Sequence, residues 1–197
     1  MKGQLTLVVP SMAYGDEIEA YRAEFLQPGA GNMNGSGSLQ TLSVPEWLTL
    51  LKRDGNPDTC RDVPRSQFLC LRPGDGRVVG MVNIRHQLDE GMLHSGGHIG
   101  YSIRPSERSK GYGRQQLVLA LDKCRDLGIR RALVCCDSDN EASRRIILSC
   151  GGVMEDIRAR SDGKPVMRFW IALQGPPSQQ GDGEDKDNKL SPGQAGS

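Results

Sequence analysis

The chain is 197 residues long, 37% hydrophobic and 25% charged, with 25 Lys+Arg against 24 Asp+Glu and a formal net charge of +1. That length suits one domain, and the near-balance of charge excludes a nucleic-acid binder that relies on bulk positive charge. No apolar run approaches the roughly 18–20 residues that cross a bilayer, and Met1 to Thr6 carries no apolar signal core, so a cytoplasmic protein with no membrane or nucleic-acid partner is expected.

Leu5 to Val9, stopped by Pro10, reads as a short strand. Tyr14, Ile18, Tyr21 and Phe25 recur at helical spacing and predict a first helix. Pro28 to Ser38 is Gly-rich and reads as a long mobile loop of the kind that admits substrate. Ser43-Val44-Pro45-Glu46 fits a capping box, and Trp47, Leu48, Leu50 and Leu51 continue it as a second helix with Trp47 in the core. Gln67–Leu71 and Val78–Ile84 read as strands joined by the turn Pro73-Gly74-Asp75-Gly76, and His98–Ile103 as a further strand.

Leu117, Leu121, Cys124 and Leu127 mark a third helix stopped by Gly128. Ala132–Cys136 is a buried strand, Asn140–Cys150 a fourth helix ended by Gly151-Gly152, and Val153–Ile157 and Val166–Ile171 are closing strands. The order β-α-α-β-β-β-α-β-α-β-β predicts an α/β (α+β mixed) fold, a mixed sheet with helices on both faces. Residues 1–173 form that domain. Residues 174–197, with Leu190 as the one large aliphatic, read as a disordered low-complexity tail.

The six cysteines (Cys60, Cys70, Cys124, Cys135, Cys136, Cys150) show no Cys-x-x-Cys spacing, so no metal is expected. They read as reduced thiols acting as small hydrophobes.

The segment Gly96 to Gly113 carries the chemistry: a strand, a turn holding Gly111 and Gly113, then a helix N-terminus. Free N–H groups of a first helical turn, with the helix dipole behind them and Arg108, Lys110 and Arg114 around them, make a phosphate or pyrophosphate cradle. A solvated basic turn is the alternative. A Walker loop is absent, and so is Gly-x-Gly-x-x-Gly after the strand, which weighs against nucleotide hydrolysis and dinucleotide binding.

Arg108-Ser109-Lys110-Gly111-Tyr112-Gly113 resembles the Arg/Gln-x-x-Gly-x-Gly/Ala pyrophosphate loop of the GNAT superfamily of N-acetyltransferases, in its family context of strand, loop, helix, strand, Asn140 and helix. The resemblance covers about residues 4–173. Gly97 to Tyr101, Asn140-x-x-Ser143 and Gly151-Gly152 look like a subgroup of bacterial acetyltransferases of unassigned substrate. It implies a mostly antiparallel twisted sheet of about seven strands, and acetyl-CoA as co-substrate without a metal. It further implies an acetyl-CoA-dependent N-acetyltransferase that acts on a primary amine, small molecule or peptide, by direct attack in a ternary complex. Many members dimerise, so a homodimer is compatible with it.

By the same resemblance Ser109 to Gly113 hold the pyrophosphate through their N–H groups, with Arg108 opening the turn. Tyr101, Ser102 and Ile103 pair with the pantetheine arm and polarise the thioester carbonyl. Asn140 touches the arm or caps its helix, and Ser143 faces the cofactor. The family places its general base on the strand before the loop, where this chain has His98, either the base or a histidine bonded into the sheet. His86, His94 and Glu90, the last through water, are the further candidates. Ile147 occupies the position of the Tyr that commonly protonates the leaving thiolate, and Tyr112 is a poor replacement. That gap motivates the alternative of a non-catalytic acyl-CoA-binding module. Asp16, Glu17, Glu19 and Glu24 on the first helix form a solvated acidic face or attract a polyamine or an aminoglycoside.

Overall fold

A computed structural model describes residues 4–173. The expected tail over 174–197 lies outside the described residues. The elements follow the predicted order: β1 (Thr6–Val8), α1 (Gly15–Phe25), α2 (Val44–Gly55), β2 (Arg65–Leu71), β3 (Val78–Arg85), β4 (Ile99–Ile103), α3 (Tyr112–Asp126), β5 (Arg131–Asp137), α4 (Glu141–Ser149), β6 (Val153–Ala159) and β7 (Pro165–Ala172). The capping box forms as read, with Glu46 accepting from the Ser43 N–H at 2.9 Å. Gly128 takes a positive φ of 75° just past α3. Leu127, expected on the apolar face of α3, lies beyond the helix end and is exposed.

The seven strands do not form one continuous sheet. One sheet runs β1-β2-β3-β4 and the other β5-β7-β6, and every strand pair within them is antiparallel. Helices α1 and α2 cover one face of the first sheet, packing Ile18, Tyr21, Phe25 and Trp47 against Leu69 and Met81. On the other side, Leu117, Ala120, Leu121 and Cys124 of α3 and Ile147 of α4 pack against Val82, Ile84, Val134 and Phe169. With both faces covered, β3 is buried without interruption from Val78 to Ile84. Trp47 is core, as its spacing with leucines implies.

The Gly-rich loop differs from expectation. Met33, Ser36 and Leu39 are buried, and the Ser102 hydroxyl donates to the Asn34 carbonyl at 2.7 Å. A Cβ on Gly35 would stand 2.3 Å from the Gly100 carbonyl oxygen. The glycine is therefore what allows this loop to lie flat on β4, as a docked wall.

The two sheets touch where β4 meets β5. The His98 N–H donates to the Leu133 carbonyl at 2.7 Å, and the Leu133 N–H donates to His98 Nδ1 at 2.9 Å. The imidazole thus supplies the acceptor that a neighbouring strand's carbonyl would otherwise give. Beyond this point β4 and β5 diverge.

His98 is buried, and desolvation, reinforced by the Arg85 charge, lowers its pKa from 6.5 to about 4. The unfolded chain therefore takes up this proton first as pH falls. Stability from this group is intact above pH 6.5 and is lost from there down to pH 4, by roughly 3 kcal/mol at most. His98→Ala, which orphans the Leu133 N–H, should cost about 1–3 kcal/mol in denaturant unfolding. His98→Asn, which keeps an acceptor, should cost less and should flatten the acid limb of the stability profile.

Candidate active site

The turn that joins β4 to α3 is held by buried charge. Arg104 donates to Glu24 at 2.6 Å, to Glu17 at 2.9 Å and to the Val78 carbonyl at 3.3 Å. Glu24 in turn accepts from the Ser106 N–H at 3.0 Å. Burial pushes the Glu24 pKa up, but the Ser106 and Arg104 hydrogen bonds outweigh it and leave the carboxyl below its ordinary value. Glu107, buried on the other side of the turn, accepts from Arg72 (2.9 Å), Arg77 (3.1 Å) and Lys110 (2.9 Å). The acidic residues Glu17 and Glu24 of α1 are therefore spent on this turn and do not line the cavity between β4 and β5.

After the turn, Ser109 takes a positive φ of 60° and Gly111 one of 82°. A non-glycine residue in that region stores strain, which clusters at ligand sites. Gly111 is the N-cap of α3 and offers no side-chain acceptor, so the first-turn N–H groups of a 15-residue helix point at open space. Arg108, Arg114 and Arg145 stand around them. This donor set fits a pyrophosphate.

The cradle opens into a cavity of about 850 Å³ lying in the divergence of β4 and β5. One wall is Ile99 to Ile103, with the loop Ala30 to Gly35 against it; the other is Cys135 to Asp137 and the first turns of α4. Every sequence-predicted cofactor residue lines it except one: Tyr101, Ser102, Ile103, Arg108, Ser109, Gly111, Tyr112, Gly113, Asn140 and Ser143. Lys110 does not, since its ammonium is bound to Glu107 and to the Ser106 carbonyl at 2.9 Å.

Asn140 caps α4, its Oδ1 accepting from the Ser143 N–H at 3.0 Å, while its amide nitrogen stays available to the cavity. The Tyr101 and Ser143 hydroxyls stand 3.0 Å apart across the divergence. Burial holds the Tyr101 phenol proton far more tightly than usual.

The catalytic expectations need correction. None of His98, His86, His94 or Glu90 lines the cavity. His98 Nδ1 is committed to Leu133. His86 Nε2 sits 2.8 Å from the Ser66 hydroxyl, and burial lowers its pKa. His94 Nε2 donates to the Ala159 carbonyl at 3.0 Å, and Glu90 is exposed to solvent away from the cavity. Ile147 is wholly buried in the core and presents nothing to the cavity. The sequence reading missed Arg85, Cys135, Asp137, Arg145 and Arg160, all of which line the site.

Residues 44–153 match the family model described as an acetyltransferase (GNAT) domain. The chain belongs to the GNAT acetyltransferase family. As a member of that family it is an acetyl-CoA-dependent acyltransferase. No curated protein matches the chain. Among solved structures, it resembles RimL, the ribosomal L7/L12 alpha-N-protein acetyltransferase in complex with coenzyme A, at 15% identity and a TM-score of 0.64, over 86% of this chain and 94% of that one. It also resembles the microcin C7 self-immunity acetyltransferase MccE bound to acetyl-CoA and AMP, at 14% identity and a TM-score of 0.63, over 86% and 93% of the two chains. A spermidine N-acetyltransferase SpeG chimera from Vibrio cholerae and hSSAT follows at 17% identity and a TM-score of 0.61, over 87% and 96%. At these identities the likeness is one of fold.

Among the described residues no His/Cys/Asp/Glu group is placed to hold a metal, and no helix is long and apolar enough to cross a membrane. Gly111→Val should weaken acetyl-CoA binding at least tenfold in calorimetry, because a β-branched residue strains the left-handed turn and fills the phosphates' approach. Asn140→Ala should lower stability by about 1 kcal/mol through the lost cap and weaken acetyl-CoA binding as well.

Proposed function

We propose that the protein acetylates a primary amine by direct attack on acetyl-CoA in a ternary complex within the cavity between β4 and β5. The observation that carries this reading is the uncapped N-terminus of α3, ringed by Arg108, Arg114 and Arg145, opening into one cavity that continues along β4. In this reading the N–H groups of Ser109 to Gly113 and the three guanidiniums hold the pyrophosphate. The β4 backbone from Tyr101 to Ile103 aligns the pantetheine arm as an added strand and polarises the thioester carbonyl, while the Asn140 amide fixes the arm from α4. The bound thioester supplies an activated acetyl group. The acceptor enters from the Arg85, Gly96 and Cys135 end. Six free thiols and the need for acetyl-CoA favour the cytoplasm.

An ammonium group with a pKa near 10 must lose a proton before it attacks. With no histidine on the cavity wall, that proton goes to water and to Asp137, which lines the cavity beside Arg160. Glu107, the other lining carboxylate, is held by Arg72, Arg77 and Lys110. The departing thiolate accepts a hydrogen bond from the Ser143 hydroxyl, which itself accepts from Tyr101. These two hydroxyls take the place of the Tyr whose position is Ile147. RimL is named for a ribosomal protein's alpha-amino group and SpeG for spermidine, so the fold leaves the acceptor open.

Release of free CoA from acetyl-CoA over an amine panel tests the reading. The rate, as kcat/KM for the amine, should climb steadily from pH 7 to about 9 with no inflection near 6.5. An inflection near 6.5 that disappears in His98→Asn would return the base to His98. Ser143→Ala should lower kcat about tenfold with acetyl-CoA binding retained, and Asp137→Asn should lower it by roughly 10²-fold. Tight acetyl-CoA binding without CoA release on any amine would leave a non-catalytic acyl-CoA-binding module.

A further inference from the structure

Arg85, the last residue of β3, lines the cavity beside Ser95, Gly96 and Cys135, away from the phosphate cradle. Its Nη1 donates to the Gly97 carbonyl at 2.8 Å and to the Gly96 carbonyl at 3.4 Å, which fixes the plane of the guanidinium. Among the described residues nothing accepts from Nε or Nη2, no carboxylate lies within ion-pairing distance, and Nε is buried without a partner. Burial, first, and the nearby Arg65 charge oppose the cation, and the Asp89 carboxylate, too far away to form an ion pair, offsets them only in part.

A guanidinium does not shed its proton in a protein, so a largely desolvated one without a counter-ion is a standing cost. The other arginines of the lining differ. Arg160 is paired with Asp137, Arg108 donates to the Ala30 carbonyl at 2.6 Å, Arg145 donates to the Glu141 carbonyl at 3.3 Å, and Arg114 is exposed at the cradle. Five arginines line the cavity against two carboxylates, and both carboxylates are already ion-paired. A polycationic amine would meet repulsion there. An anion would supply what Arg85 lacks, and Nη2, for which no partner is found among the described residues, is the guanidinium nitrogen left for a carboxylate oxygen to meet.

We propose that Arg85 binds a carboxylate carried by the acceptor, so that the substrate is an amino acid or a short peptide with a free carboxylate rather than a simple amine or a polyamine. This rests on the acetyl-transfer reading and names the substrate class of the same cavity. Arg85 anchors the acceptor's anionic end and thereby sets which nitrogen reaches the thioester.

The test uses the full chain with acetyl-CoA and matched acceptor pairs: lysine against cadaverine, glycylglycine against its amide, and β-alanine against O-phosphoethanolamine. We expect the carboxylate-bearing member of each pair to be favoured at least about tenfold in kcat/KM, and Arg85→Met to bring that ratio close to one while acetyl-CoA titration stays unchanged. Arg85→Lys should keep part of the preference. Equal or faster acetylation of cadaverine and of the amide, a preference that survives in Arg85→Met, or faster acetylation of O-phosphoethanolamine would each overturn the proposal. The failure of transfer itself is read separately, by calorimetric titration of N-acetyl-β-alanine and N-acetylglycylglycine into the CoA-loaded protein. Binding that is lost in Arg85→Met sustains the carboxylate site even without turnover, and no binding by the wild type refutes it.

Discussion

The site depends on one junction, where β4 and β5 meet at His98 and Leu133 and then part. Two strands that paired along their length would form a continuous seven-stranded sheet with no room between them. Here the imidazole Nδ1 takes the Leu133 N–H, the His98 N–H takes the Leu133 carbonyl, and pairing stops there. Beyond the junction the facing edges of β4 and β5 have no strand between them, and a cavity of about 850 Å³ occupies the gap. An unpaired strand edge is a template for an extended ligand. The pantetheine arm of acetyl-CoA is of that kind. A histidine that would be a natural proton acceptor in a cleft is instead the pin that makes the cleft.

A second constraint places the phosphates. The first-turn amides of α3 are useful only if the turn before them is rigid, and seven charged side chains fix that turn from both sides. Arg104, Glu17 and Glu24 tie it to α1, while Glu107 gathers Arg72, Arg77 and Lys110. Buried ion pairs give little net stability when compared with apolar packing, yet breaking one leaves an uncompensated charge. Their contribution is therefore to position the cradle. The helix α1, far from the cradle in sequence, acts on it through Glu24 and the Ser106 N–H.

The parts legible in the sequence are those built from contiguous residues. Strand, turn and helix N-terminus lie within Gly96 to Gly113, so the cradle could be read from glycine placement and charge before any contact was known. Asn140 as a helix cap is legible by the same local logic, whereas its place on the cofactor, and that of Ser143, come from the resemblance to the GNAT pattern. The acceptor end was not legible, because Arg85, Ser95, Cys135, Asp137 and Arg160 come from separate segments that meet only once the two sheets diverge. His98 misled for a related reason: composition marks it as titratable, but only the partner strand shows its Nδ1 to be occupied. The glycines of the loop Pro28 to Ser38 predict mobility, since glycines commonly loosen a chain. Here Gly35 is the residue that lets the loop press onto Gly100.

Amide hydrogen exchange with and without acetyl-CoA is the most direct measurement of the central claim, that the cofactor fills the gap between β4 and β5 and completes the sheet edge. Exchange should slow at Ser109 to Gly113 and at Tyr101 to Ile103 when acetyl-CoA is added, and stay unchanged along the outer strand β6. Protection confined to the cradle, or absent from both segments, would contradict the account.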